Sequence, residues 1–104
     1  MLKMIEPAFD NDGYPTELTL ALISNWQHAR GFRGLMEYVR LAWKHGDVYF
    51  HSEETEEGTL YELHTTGWSG NEELIAALQK NSLFWVLHWQ ESGRGGHYKF
   101  LIGK

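Results

Sequence analysis

The chain has 104 residues, 42% of them hydrophobic and 14% aromatic, which is enough apolar material for one compact core but not for two. A net charge of −5 disfavours nonspecific nucleic-acid binding, which needs many basic side chains against phosphates. Without cysteine, a disulfide framework and a thiolate nucleophile are excluded. No apolar run approaches the roughly 18 residues that cross a bilayer, so we expect no membrane partner and a cytoplasmic location.

The amino-terminal part of the chain predicts an irregular lead-in and two helices. Residues 1–14 end in the turn-rich stretch DNDGY and are expected to be irregular. Thr16 is the expected N-cap of the first helix, whose apolar residues at helical spacing are Leu18, Ala21, Leu22 and Trp26. The second helix has the clearest apolar stripe, and Gly46 is expected to end it. That stripe comprises Phe32, Leu35, Met36, Val39, Ala42 and Trp43.

A hairpin and a third helix are predicted next. The stretch DVYFHSEETEEGTLYELHTT alternates with period two around a TEEGT turn, as expected for two antiparallel strands. Its inward-facing residues are expected to be Val48, Phe50, Tyr61 and Leu63. The stretch GWSGNEELIAALQKN then predicts a helix in which Ser69 is the N-cap and Glu72 completes a capping box.

A second hairpin is predicted from SLFWVLHWQES and GHYKFLIGK, joined by the GRGG turn. With a loop of two or four residues, alternation places one set of residues inward: Trp85, Leu87, Trp89, Tyr98, Phe100 and Ile102. The opposite face then collects His51, Glu62, His64, His88, Gln90, His97 and Lys99. The predicted order is α-α-β-β-α-β-β. We therefore expect a single α+β domain over residues 1–104, with about four strands in two hairpins and helices on one face of the sheet.

Two glycine-rich loops are candidates for a binding site. If the third helix crosses over between neighbouring parallel strands, GWSGN and SGRGG lie at the same end of the sheet. A helix N-terminus and an arginine on a turn would then bind an anion such as a phosphate. The expected ligand contacts are Arg94, His97, Trp68, Ser69, Asn71, His88 and Lys99. If the strands are antiparallel, the loops separate, and GRGG is only a tight turn whose glycines supply positive φ.

The sequence predicts no catalytic residue, metal site or cofactor. GWSG does not have G-x-S-x-G spacing, and GRGG joins two strands, so it is not a dinucleotide fingerprint. The histidines lack H-x-H and HExxH spacing, and an amphipathic sheet face accommodates imidazoles without a metal. Trp68 lies in a loop between glycines, where it is expected either to stack on a planar ligand or to anchor the loop.

Several motifs carry a resemblance to a known family. The segments GYPTE, GFRGLMEYV, TGWSGNEELIAAL and RGGHYKF, with FW and a later Trp, resemble a family of small bacteriophage and prophage proteins. The resemblance extends from about Gly13 to Phe100, although Thr66 stands where the TGGWSGN loop of that family has glycine. It implies a phage origin and action in the host cytoplasm by binding. It carries over no reaction, cofactor or catalytic residue.

Three functions are left open by the sequence. The leading one is binding and sequestering a nucleotide-like anionic ligand as a counter-defence factor, with Trp68 or Tyr98 stacking on its base. The second is a protein-interaction module that blocks a host protein through the acidic EETEEG tip and exposed aromatic residues. The third, with less support, is a histidine-based hydrolase such as a phosphodiesterase. A homodimer fits each of them, because a small aromatic-rich domain often buries a sheet face or edge against its copy.

Overall fold

The computed structural model describes residues 6–103. The α-helices are α1 (Glu17–Ser24), α2 (Phe32–Ala42), α3 (Gly46–Tyr49), α4 (Ser69–Lys80) and α5 (Ser82–His88), with a 3₁₀ turn at His28–Arg30. The strands are β1 (Phe50–Glu54), β2 (Gly58–His64), β3 (Trp89–Gly93) and β4 (His97–Gly103). The α+β class and the sheet of two hairpins are confirmed. Within residues 6–103, no helix is both long and apolar enough to span a membrane.

The four strands form one sheet in the order β1-β2-β4-β3, and every neighbouring pair is antiparallel. The strands that flank α4 and α5 are β2 and β3. They run in the same direction, but β4 lies between them, so the helices do not join neighbouring parallel strands, which was the condition for the two glycine-rich loops to meet. The helices pack against one face of the sheet, where Phe50, Leu63 and Phe100 enter the core. The other face carries the alternate residues and is called the open face below.

The amino-terminal lead-in and the first helix match the sequence-based prediction only in part. Residues 1–5 of the predicted irregular lead-in lie outside the described residues, and residues 6–14 have no helix or strand beyond a bridge between Phe9 and Pro15. The Thr16 cap is confirmed, because its hydroxyl accepts a hydrogen bond of 3.2 Å from the backbone N–H of Thr19. Leu18, however, is exposed, and the residues of α1 that enter the core are Thr19 and Ile23.

The second helix confirms its predicted apolar stripe, since all six residues of that stripe are buried. Its end differs from the prediction. The helix stops at Ala42, and Gly46 begins the short helix α3 instead of ending α2. As a result, Val48 belongs to a helix and is exposed, and its predicted inward position in a strand is wrong. The first hairpin therefore starts only at Phe50, which is buried as expected.

The largest departure from the prediction is α5. Residues 82–88 were expected to begin a strand but form a helix, and β3 starts only at Trp89. Asn81 caps this helix, because its side-chain oxygen accepts from the backbone N–H of Phe84 at 3.3 Å. Trp85 still reaches Phe100, with ring centroids 5.4 Å apart, but it does so from a helix. Leu87 and Trp89, both predicted to be inward, are exposed.

The turn of the second hairpin has three residues instead of two or four. Gly93 pairs with His97, which leaves residues 94–96 as the loop. A bulge between Trp89 and Glu91 compensates for this shift, so Trp89 still pairs with Phe100 as the alternation predicts. Gln90, expected on the polar face, lies in the bulge. Glu91 pairs with Lys99 in its place.

Candidate functional site

The two glycine-rich loops lie side by side at one end of the sheet. The backbone N–H of Thr65, just after β2, donates a 3.0 Å hydrogen bond to the carbonyl of Gly96 in the β3–β4 turn. The loops meet because β2 and β3 run in the same direction, even though β4 separates them. The two loops therefore lie together although the strands that lead into them are not neighbours in the sheet.

The loop from β2 to α4 reverses the chain through two residues with left-handed backbone. Thr66 has φ of 57° and Gly67 has φ of 79°. For a β-branched residue this conformation is rare, because its side chain crowds the backbone. Glycine adopts this backbone without strain, so Thr66 occupies a loop position that favours glycine.

Arg94 lies at the tip of the β3–β4 turn and is exposed. Among residues 6–103 its guanidinium makes no hydrogen bond and no ion pair. The turn uses positive φ at Gly95 and Gly96, 80° and 78° respectively. A Cβ at Gly95 would lie 3.4 Å from the imidazole of His97, so that ring packs beside the turn that carries Arg94.

Three histidines cross the open face at this end of the sheet, and we call His51, His64 and His97 the histidine row. His64 and His97 are register partners on β2 and β4, and their ring centroids are 4.1 Å apart in an edge-to-face arrangement. His51 on β1 lies 6.4 Å from His64 by the same measure. Burial lowers the pKa of His64, the positive charges of His97 and His51 lower it further, and Glu62 opposes them.

Lys99 shares the open face but already has a partner. Its ammonium lies 3.0 Å from a carboxylate oxygen of Glu91 on the neighbouring strand. The hydrogen bond and charge of Glu91, with the charge of Glu62, raise the pKa of Lys99. The positive charge of Lys99 is therefore partly offset before any anion approaches.

Trp68 anchors its loop in this structure. Its ring lies 5.1 Å from that of Tyr14 and 4.8 Å from the ammonium of Lys44. It also covers Gly70 so closely that a Cβ there would overlap the indole. With Phe9, Trp43 and other residues, Trp68 lines a groove of about 380 Å³. Of the two roles open from the sequence, these contacts favour loop anchoring.

Ser69 and Asn71 both take part in contacts within the protein. The predicted capping role of Ser69 is wrong: Trp68 is at the N-cap position, and the Ser69 hydroxyl hydrogen-bonds to the Tyr14 hydroxyl at 2.9 Å. Asn71 is completely buried, and its side-chain oxygen accepts from the backbone N–H of Lys44 at 3.0 Å. The structure does not bring Asn71 to the surface beside Arg94.

His88 lies on the helical side of the sheet, so its predicted place on the polar face is wrong. It belongs to α5, and its ring packs 5.4 Å from Phe32 and 5.5 Å from Phe84. Its Nδ1–H donates to the carbonyl of Leu101 at 2.9 Å, since that oxygen only accepts. Burial lowers the pKa of His88, and the bond to Leu101 partly opposes that shift.

The lowered pKa of His88 predicts a loss of stability in acid. A histidine whose pKa is lowered by folding binds protons more readily when the chain is unfolded. Neutral His88 therefore makes its full contribution to the free energy of unfolding above pH 6.5, and this contribution is lost as the pH falls through the pKa of the folded state. The free energy of unfolding should fall from pH 7 to pH 5, by at most about 1.4 kcal/mol per pH unit for this group. Urea denaturation of His88→Gln should give a shallower fall. Equal pH slopes in the two proteins would contradict this assignment.

A depression of about 430 Å³ beside the histidine row is lined by His51, Ser52, Glu53, Leu60 and Glu62. Among residues 6–103, no group of three His, Asp or Glu residues is arranged to hold a metal ion. In the same part of the chain, no imidazole of the row hydrogen-bonds to a carboxylate that would orient it as a general base.

Comparisons with protein-family models, with curated proteins and with solved structures gave no significant match. The resemblance to phage proteins therefore stays a prediction. Two of the predicted ligand contacts, Arg94 and His97, lie together at the junction of the loops. The sequence also placed His51 and His64 on the same face as His97 through strand alternation, but it did not include them among the ligand contacts.

Proposed function

We propose that this protein binds a small nucleotide-like anion on the open face, where the β3–β4 turn meets the histidine row, and that it acts without catalysis. One observation carries the proposal: Arg94, which is exposed and has no partner among residues 6–103, lies on the turn that packs beside His97, and His97 is one end of the histidine row. A guanidinium offers a planar set of donors that matches a phosphate, and a protonated imidazole adds charge and a further donor. His97 and His64 are the nearest such groups to the turn.

The depression beside the histidine row supports a ligand larger than phosphate. Its volume of about 430 Å³ lies within the usual range for small-molecule sites. A phosphate held by Arg94 and His97 would leave the rest of a nucleotide over the His51 end of the face. There the carboxylates of Glu53 and Glu62 are available to accept hydrogen bonds from base amino groups.

Stacking on Trp68 or Tyr98 is not part of this proposal. Trp68 is engaged with Tyr14 and Lys44, as described above. Tyr98 alternates with the open-face residues and contacts Trp85 on the helical side, with ring centroids 6.3 Å apart. The ligand is therefore proposed to be held by charge and hydrogen bonds on the sheet face.

Isothermal titration calorimetry with adenosine monophosphate and with inorganic phosphate tests the proposal. The nucleotide should bind more tightly at pH 6 than at pH 8, because a protonated imidazole attracts the anion. Since the pKa of His64 is lowered, this imidazole takes up its proton only below its ordinary pKa of 6.5. Arg94→Ala should weaken binding about tenfold, the effect expected from losing one charged hydrogen bond. His97→Ala should weaken it by a similar factor.

Lys80→Ala is the matched control, because it removes one positive charge from the end of α4, away from the open face. It should leave the affinity within about twofold of the starting protein. An affinity that drops equally in Lys80→Ala and Arg94→Ala would indicate only a general charge effect. No binding of either probe at pH 6 would contradict the proposal and favour the alternative, a module that blocks a host protein.

The proposal includes a phage-type accessory role in the host cytoplasm, with sequestration of a nucleotide-like signal as its purpose. Only the motif resemblance supports this part. It is tested separately, by native mass spectrometry of the protein taken from infected cells. A co-purified nucleotide is the expected result, and a protein without any small molecule would count against sequestration.

A further inference from the structure

Two imidazoles of the histidine row lie directly opposite each other. His64 on β2 and His97 on β4 are register partners in an antiparallel pair, so both side chains project from the open face at the same level of the sheet. Directly opposed residues have Cβ atoms about 4.5 to 5.5 Å apart. The sheet keeps this spacing, because the hydrogen bonds of the ladder fix both backbones.

The separation of the two rings is close to that of two imidazoles on one metal ion. A metal–nitrogen bond of about 2.0 to 2.1 Å places each ring centroid about 3.2 Å from the ion. Two such centroids are about 4.5 Å apart at a right angle and about 5.2 Å apart at the tetrahedral angle. The centroids of His64 and His97 are 4.1 Å apart, edge to face. The rings therefore need only turn and separate by about 0.4 Å for both to face one ion.

Neither ring is held by another side chain. Within residues 6–103, the only histidine side chain that makes a hydrogen bond is that of His88, and no histidine forms an ion pair. His97 is exposed and His64 is half-buried, so an ion can reach both from solvent. The nitrogens of the pair are thus available as ligands.

His51, the third member of the row, is too far away to join the pair. Its centroid lies 6.4 Å from that of His64, a spacing at which two imidazoles share one ion only from opposite sides, at about 180°. Its own register partner is Glu62. This agrees with the finding that no three His, Asp or Glu residues among residues 6–103 are grouped to hold a metal. A site here has two protein ligands.

We propose that His64 and His97 bind one divalent late transition ion, such as Ni²⁺, Cu²⁺ or Zn²⁺, with water in the remaining positions. Imidazole is a preferred ligand of these ions, whereas Mg²⁺ and Ca²⁺ prefer oxygen. The two rings act as a chelate, because the first bond holds the second imidazole at a high effective concentration. The ion and the proposed anion would compete for His97. The metal site does not rest on the proposed function, since it needs no guanidinium.

Isothermal titration calorimetry with nickel chloride alone tests the proposal, at pH 8, where an ordinary imidazole is neutral. Ni²⁺ should bind one ion per chain, and magnesium chloride should give no measurable binding. His64→Gln and His97→Gln should each weaken Ni²⁺ binding about a hundredfold, the effect of losing one arm of a chelate. His51→Gln should weaken it by no more than about threefold.

His28→Gln is the matched control, because His28 is also exposed but lies on the 3₁₀ turn before α2. It should leave Ni²⁺ affinity within about twofold of the starting protein. Arg94→Ala separates the two proposed ligands, because it should weaken nucleotide binding but not Ni²⁺ binding. Ni²⁺ should also raise the melting temperature of the starting protein and not that of His97→Gln, since the pair exists only in the folded chain.

Three outcomes would overturn the proposal. One is a starting protein that does not bind Ni²⁺ at about 1 mM free ion. Another is equal weakening by His28→Gln and His97→Gln, which would mean that scattered histidines bind the ion singly. The third is equal weakening by His51→Gln and His97→Gln, which would contradict a site of two ligands. Melting curves recorded without metal check that each variant folds.

Discussion

Asn81→Ala is expected to lower the free energy of unfolding by roughly 3 kcal/mol, the effect of removing one partner from several buried hydrogen bonds. The Asn81 side chain is buried, and its Nδ2 donates to the carbonyls of Ile23 and Trp26, both at 3.0 Å. Its oxygen caps α5 by accepting from Phe84. Alanine would leave the two carbonyls without these donors and the helix without its cap. In thermal denaturation the melting temperature should fall by about 15 °C.

Asn25→Ala is the matched control for that measurement. Asn25 is exposed, and its Nδ2 donates to the single carbonyl of Ala21 at 2.9 Å. Its replacement should cost about 1 kcal/mol or less. Asn81→Asp separates the two roles of Asn81, because aspartate keeps an acceptor for Phe84 but loses both donors. If Asn81→Ala is no more destabilising than Asn25→Ala, the junction of α1, α4 and α5 does not depend on this amide.

The parts of the fold that sequence predicted well are those with two chemically distinct faces. In α2 the apolar residues alternate with Arg33, Glu37 and Arg40, so only a helical period separates the two groups. The strands β2 and β4 likewise alternate, and Leu63 and Phe100 enter the core as expected. The hairpin turns were recognisable because glycine supplies the positive φ that they need.

The segment that forms α5 has no such contrast between an apolar face and a polar face. From Leu83 to Leu87 every residue is apolar, so period two and period 3.6 fit equally well. The deciding feature is Asn81, whose side chain caps a helix and ties it to the end of α1. An asparagine before an apolar run is a recognisable N-cap signal. The two carbonyls that it satisfies lie more than fifty residues away and have no local signature.

The wrong prediction of a strand over α5 also explains why one candidate site residue was assigned to the wrong face. His88 lies on the helical side because its segment is a helix, whereas His97 lies on the predicted face because β4 is a strand. Asn71 was predicted from its position at the start of a helix, and Trp68 from its place in a loop between glycines. Tertiary contacts that the sequence does not specify engage both within the protein. Arg94 was assigned by the turn alone, and the structure leaves it exposed at that turn.

Gly96→Ala is expected to lower the free energy of unfolding by roughly 3 kcal/mol, because two costs add. A residue with a Cβ is strained at the φ of 78° found here, by about 1 to 2 kcal/mol. That Cβ would also overlap Thr65 Oγ1 and approach Thr65 Cβ to 3.1 Å, so one of the two loops must shift. Urea denaturation measures the loss.

Gly95→Ala separates strain from crowding. Gly95 has a similar φ, 80°, but its added Cβ meets only the His97 ring at 3.4 Å, an ordinary contact. It should therefore cost about 1 to 2 kcal/mol, the strain alone. In a Thr65→Ala background the overlapping hydroxyl is gone, so Gly96→Ala should cost less than in the starting protein while Gly95→Ala costs the same. Additive effects at Thr65 and Gly96 would mean that the loops do not press against each other. A coupling between them would show that the Thr65 side chain and Gly96 pack directly against each other where the two loops meet.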